Sequence, residues 1–292
     1  MGDRAQVVVE GLVFGEAPRW HEGSLWFSDI HGHAVHRLAG GADQVVAEID
    51  DRASGLGWLS DGSLIVVAME TARLLRVDVA SGQVSPHADL SGFARGTLND
   101  MIVRADGTAF VGDMGARIFS DEPDHSVPGQ VLRVDPDGRV SVAWDDLRAP
   151  NGMVLTDDER TLLMAESGGL RVLAFDLGAA GGLGNVRTFA DLVPDRDDVA
   201  VAAPDGICLD AEGAVWVADP IGARVLRVLE GGEVTDVHRV DGLTPVACVL
   251  GGPGRRTLFV CAAEGWRHHD VGHRRSGRVL ALPVDVAGAG SP

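Results

Sequence analysis

One module recurs six times along this chain, and it restricts the fold to very few architectures. Each copy holds an apolar strand, a tight polar turn, a second apolar strand, a gap, and a third strand of the x-Val-x-Arg-x kind. The copies occupy residues 18–29 with 34–38, 56–67 with 74–78, 99–111 with 130–135, 151–160 with 173–176, 205–213 with 225–228, and 246–255 with 278–282. Turn-to-turn spacing is roughly 40 to 53 residues, the span of one propeller blade. The turns carry pairs such as Asp61-Gly62, Asp106-Gly107 and Glu212-Gly213, the chemistry a hairpin requires. The strands are rich in Val, Leu, Ile, Phe and Trp, as half-buried strands are. No segment shows a sustained helical period between caps, so the long crossover helices of a parallel α/β fold are missing. Six units that bury their faces only against neighbours predict an all-β, six-bladed β-propeller.

The chain of 292 residues, 45% apolar, suffices for one domain with a large core. The expected single domain spans 1–292, with a core of about 12–285 and a frayed tail at 286–292. Residues 115–129 and 178–184 read as loops inserted into blades three and four, placed over one mouth of the channel.

Composition removes several function classes. A formal net charge of −18 speaks against nucleic acid, which needs a basic surface, and against anionic membranes. No apolar run approaches the ~18 residues that span a bilayer, and no secretory signal opens the chain, so the expected compartment is cytoplasmic. There is no Lys, which excludes Schiff-base chemistry and a P-loop. The three cysteines, Cys208, Cys248 and Cys261, form no C-x-x-C pair, and Cys208 and Cys261 read as small buried hydrophobes. Trp26, Trp144 and Trp216 read as blade packing, and the acidic stretch 195–198 as a solvated loop. Histidines gather at 21, 31, 33 and 36 and at 268, 269 and 273. A three-His zinc site is conceivable there, but turn and surface positions explain them as well.

The informative exceptions lie where innermost strands begin. Asn99-Asp100, Asn151 and Asp205 each stand directly before an alternating apolar strand, and Glu16 precedes the first copy. Burying such groups without partners costs a few kcal/mol each. At matched positions of a ring they would converge on its axis. Two carboxylates and two amide oxygens form a hard-oxygen set suited to Ca²⁺ or Mg²⁺, and the two charges balance a divalent ion. Asn-Gly and Asp-Gly as plain strand-entry turns are the alternative at any single site.

Four motifs carry a resemblance: Gly15-Glu16-Ala17-Pro18-Arg19-Trp20, Asn99-Asp100, Pro150-Asn151-Gly152-Met153, and residues 204–213 beginning Pro204-Asp205-Gly206. Together they resemble the gluconolactonase, senescence marker protein (regucalcin) and luciferin-regenerating enzyme family over about 15–282. The resemblance implies a six-bladed propeller in which Glu16, Asn151 and Asp205 hold one divalent cation. Calcium is the expected ion, with Zn²⁺, Mn²⁺ and Mg²⁺ as substitutes. In the related diisopropyl fluorophosphatase an asparagine at the Asn99 position also faces calcium. Asn99 and Asp100 match the family's substrate-contacting pair. Sugar-lactone members usually carry Arg-x-Asn-Asp-Gly, whereas Thr97 and Met101 stand at the Arg and Gly positions here. Both are expected beside the substrate, with Met101 placing an apolar group near the mouth.

The implied activity is a metal-dependent hydrolase, a lactonase acting on a small and relatively apolar lactone rather than a sugar lactone. Asp205 is expected as general base or nucleophile and the cation as Lewis acid. A phosphotriesterase on the same site and a non-catalytic metal-binding propeller are the rivals. A monomer or small homo-oligomer is expected, with a small-molecule substrate as the only partner.

Overall fold

The computed structural model describes residues 5–193, 202–240 and 242–291. Six antiparallel sheets follow one another around the ring, and in each the first strand of its sequence repeat lies innermost. The innermost strands are Gly15–His21, Ala53–Trp58, Leu98–Val103, Pro150–Leu155, Ile207–Asp210 and Thr244–Gly251. Each touches the next around the ring, and the sixth touches the first. The architecture is therefore the predicted six-bladed propeller.

Burial explains the sequence pattern of each blade. Second strands such as Leu64–Ala68 and Val215–Asp219 are buried along their whole length, because blades cover both faces. They are accordingly continuous apolar runs. Outermost strands such as Ala42–Glu48 and Val234–Arg239 are largely exposed and carry the charges. Phe27, Phe110 and Phe175 fill the space within and between sheets and are fully buried, each removing roughly 1.5–3 kcal/mol worth of apolar surface from water. Trp26 and Trp216 are buried, and Trp144 packs edge-on to Phe175 at 5.3 Å. The three thiols are free and buried.

Two features at the chain ends depart from expectation. Gln6–Leu12 lies outside the sixfold pattern, yet it is the outermost strand of blade six, pairing from Gln6↔Ala281 to Leu12↔Gly277. The ring is thus closed by both ends of the chain, and the expected boundary near residue 12 cuts off its closing strand. The supposed frayed tail is also paired. Gly288–Ala289 adds a fifth strand to blade five, against Leu209 and Asp210. Ser291 bridges Leu155 in blade four, and Arg255 donates to the Gly290 carbonyl.

The two insertions separate. Residues 115–128 lie at the end of the ring where innermost strands begin. The 178–182 turn lies at the opposite end, with Gly181 beside Arg133 and Arg104, so it does not cover the mouth expected of it.

Candidate active site and metal centre

Strand register shows why the polar residues converge. Gly15, Ala53, Leu98, Pro150 and Thr244 each pair with the last residue of the neighbouring second strand. A bulge follows in every one of these strands. Bulges re-aim side chains, and here the next residue is turned toward the axis. Those residues are Glu16, Ser54, Asn99 and Asn151; blade six has Pro245 at the matching register. In blade five Asp205 holds the same place, its N–H donating to the Ala218 carbonyl at 3.0 Å just ahead of Ile207–Asp210. The glycines that follow are demanded by crowding rather than by turn conformation. A Cβ on Gly152 would lie 2.6 Å from the Ile207 nitrogen, and one on Gly206 would lie 2.4 Å from the Ala247 Cβ. The strand-entry-turn reading of Asn-Gly and Asp-Gly therefore fails.

The axial residues form a connected set. Asn99 Nδ2 donates to Asn151 Oδ1 at 3.0 Å, and Ser54 Oγ donates to Asn99 Oδ1 at 3.3 Å. Asn151 Nδ2 donates to Ser167 Oγ at 3.2 Å, whose hydroxyl donates in turn to the Pro204 carbonyl at 2.6 Å. Asn151 also hydrogen-bonds Asp205. Ser54 was missed in the sequence. Alignment of Arg52-Ala53-Ser54-Gly55 on Thr97-Leu98-Asn99-Asp100 would have revealed it.

Glu16, Asn99, Asn151 and Asp205 all line one cavity of about 920 Å³. Its walls are mainly apolar, with Phe14, Ile30 and Met69 on one flank and Met114, Ile118 and Phe119 joining them from blade three and its insertion. Trp266 stands at the rim, 46% exposed.

The two axial carboxyl groups are electrostatically uncomfortable. Burial, then the Asp205 and Asp100 charges, push the Glu16 carboxyl well above the usual range. Burial, partly offset by the Asn151 hydrogen bond and reinforced by the Asp100 charge, raises Asp205 to about 7. The Glu16 side chain accepts one short bond, from the Ala17 N–H at 2.8 Å. No arginine pairs with either group among the described residues. The nearby Arg19 is committed elsewhere. It donates to Asp100 Oδ1 at 2.5 Å and to the Met101, Leu56 and Pro18 carbonyls.

A pair of mutually repelling, half-buried carboxylates beside two amide oxygens, with no counter-ion from the described residues, fits a divalent cation held by hard oxygen donors. No cluster of three or more His, Cys, Asp or Glu exists among the described residues, which leaves no three-His alternative there. His21 stacks on Trp58, His33 hydrogen-bonds the Asp51 carbonyl, and His36 contacts Asp43. His31 and His269 line the cavity. The His268 side chain and residues 195–198 lie outside the described part of the structure.

Three expected substrate contacts do not line this cavity. Met101 is fully buried and packs toward Gly57 of blade two, because the bulge between Leu98 and Met101 breaks the alternation and turns it from the axis. Thr97 is buried, its Oγ1 accepting the Ile118 N–H at 3.1 Å, so it pins the insertion. Asp100 lies behind the axial pair in its ion pair with Arg19. No helix is long and apolar enough to cross a membrane.

Known proteins share both sequence and shape. Regucalcin of Danio rerio is 28% identical over 261 residues, covering 88% of this chain and 85% of its own. The 6-deoxy-6-sulfogluconolactonase of Pseudomonas putida is 27% identical over 296 residues, covering 98% and 96%. The crystal structure of the calcium-binding protein regucalcin from Agrobacterium tumefaciens superposes with a TM-score of 0.79 at 23% identity, covering 99% and 96%. Residues 14–264 match the SMP-30/Gluconolactonase/LRE-like region, and with the axial Glu16, Asn151 and Asp205 in place the chain belongs to that family.

Proposed function

We propose that this protein is a divalent-cation-dependent lactonase acting on a small, relatively apolar lactone. The observation that carries this reading is the unpaired Glu16–Asp205 pair at the base of a large cavity. Glu16, Asn99, Asn151 and Asp205 would hold the cation, with calcium expected. When bound, that ion supplies Lewis-acid polarisation and charge stabilisation at the substrate carbonyl.

The chain's own groups do the proton chemistry. With the cation beside it Asp205 is ionised, the form a general base needs. Asp205 accepts a proton from water as the water oxygen bonds to the lactone carbonyl carbon. The ring C–O bond then breaks, and the proton held on Asp205 passes to the departing alkoxide. The product is the open hydroxy acid. The Asn99–Asn151–Ser167 chain of hydrogen bonds keeps these groups in register with Asp205.

The apolar preference rests on Phe14, Ile30, Met69, Met114, Ile118 and Phe119, which offer a substrate little to hydrogen-bond. Thr97 and Met101, on which the sequence argument relied, do not contribute. The relatives named for sulfogluconolactonase activity and for calcium binding support the reaction class and the ion. A panel of alkyl-substituted and sugar lactones, assayed with calcium and after chelation, tests the proposal. Turnover should favour alkyl lactones and vanish with the chelator. Undiminished turnover by Asp205→Ala would overturn it.

A further inference from the structure

Two residues ahead of each axial residue, the repeat presents Phe14, Arg52, Thr97, Ala149, Ala203 and Leu243 in blade order. Blade two thus carries a guanidinium at this position, while blade three carries Thr97. Arg52 lines the cavity, and three contacts fix its direction. Its Cζ lies 4.3 Å from the centre of the Phe119 ring, its Nε donates to His31 Nδ1 at 3.4 Å, and its Nη1 pairs with Glu70. No described residue accepts from its Nη2. Glu70 is about half exposed, so its hold on the guanidinium is weak.

Charge points the same way. Among the described residues, Arg52 and Arg267 face Glu16, Asp121 and Asp205 around the cavity. These five groups carry one net negative charge, and a bound divalent ion makes the set one net positive. The chain as a whole carries −18. A cavity that becomes positive inside an acidic protein selects anionic ligands. Arg52 stands only two residues from axial Ser54, roughly 7 Å of extended chain.

We infer that Arg52 anchors a carboxylate carried on the substrate's apolar chain, a few carbons from the ester that Asp205 attacks. The inference rests on the lactonase reading and narrows it to lactones with one charged end. Phe119 supports the guanidinium face while the free edge of the fork meets the carboxylate. The apolar wall takes the carbons between.

The test compares wild type, Arg52→Gln and Arg52→Lys on two γ-lactones that differ only in a side chain ending in carboxylate or carboxamide. In Arg52→Gln the KM for the carboxylate substrate should rise about tenfold or more with kcat little changed. The carboxamide substrate should be unaffected, and Arg52→Lys should recover part of the loss. Equal effects on both substrates, or none on either, would overturn the anchor. If wild type hydrolyses neither lactone, the lactonase reading fails by itself. The anchor is then read from calorimetric binding of hexanoate in saturating calcium, with hexanamide as control. Hexanoate binding that is lost in Arg52→Gln upholds the anchor. Binding that persists in the variant, or that is absent from wild type, removes it.

Discussion

Asp29, Asp113, Glu166 and Asp219 end the second strands of four blades; Glu16 and Asp205 stand next to the starts of two innermost strands, at the same end of the ring. All are enclosed by protein on most sides, but their surroundings differ. Asp113 accepts from the Arg95, Gly96 and Gly115 backbone N–H groups and from Gln130 Nε2. Asp29 accepts from the Val13, Phe14 and Gly32 backbones. Glu166 takes the Arg148 N–H and Arg171 Nε, and Asp219 takes the Gly222 N–H and Arg224 Nε. Each latches the loop entering a blade, the turn inside it, or both. Where blade two has Ala68 instead, Asp51 does the same work with the Arg52, Glu70 and Thr71 N–H groups. Glu16 and Asp205 have no comparable ring of donors. A buried carboxylate saturated with donors stabilises a fold; one facing another carboxylate is costly until something positive arrives.

That contrast can be broken experimentally. The largest effect belongs to Asp205→Ala, which should lower kcat/KM for a lactone by about 10²–10⁴-fold while the thermal midpoint is unchanged or higher. A loss of stability without loss of rate would move Asp205 into the latch class. Next is Arg19→Leu, which leaves Asp100 buried and unpaired. Denaturant unfolding should show about 3–5 kcal/mol of destabilisation, and adding Asp100→Asn should recover much of it.

The pH dependence sharpens the comparison further. Asp205 is raised from 3.8 to about 7 in the fold, and Glu16 shifts the same way. The folded state therefore favours their protonated forms. Without metal, stability should fall as pH rises from about 4 to 7 and level off above. Calcium needs both groups ionised, so its affinity should weaken below pH 7, by up to about tenfold per unit for each proton displaced. Saturating calcium should abolish the stability trend. Calorimetry at pH 6 and 8 and chelated melts follow both. The smallest effect is Asp113→Ala, which should cost about 1–3 kcal/mol and leave calcium affinity untouched.

Sequence alone determined the ring and four of its axial residues. Blade repeats, turn pairs and strand alternation are local signals, and a polar residue before an apolar strand is conspicuous in a repeat. It also indicated that residues 115–129 reach the mouth, where Ile118 and Phe119 now line the cavity. Tertiary structure decided which neighbours of those residues face the axis. Met101 is two positions from Asn99 yet turns into the core, because a bulge interrupts the alternation between them. Arg19 neutralises Asp100 from 81 positions away, and Gln6–Leu12 closes a sheet built from the other end of the chain. Arg52 reached the cavity wall through the loop between two blades. Such contacts arise only when blades pack side by side, and no local pattern records which surface meets which.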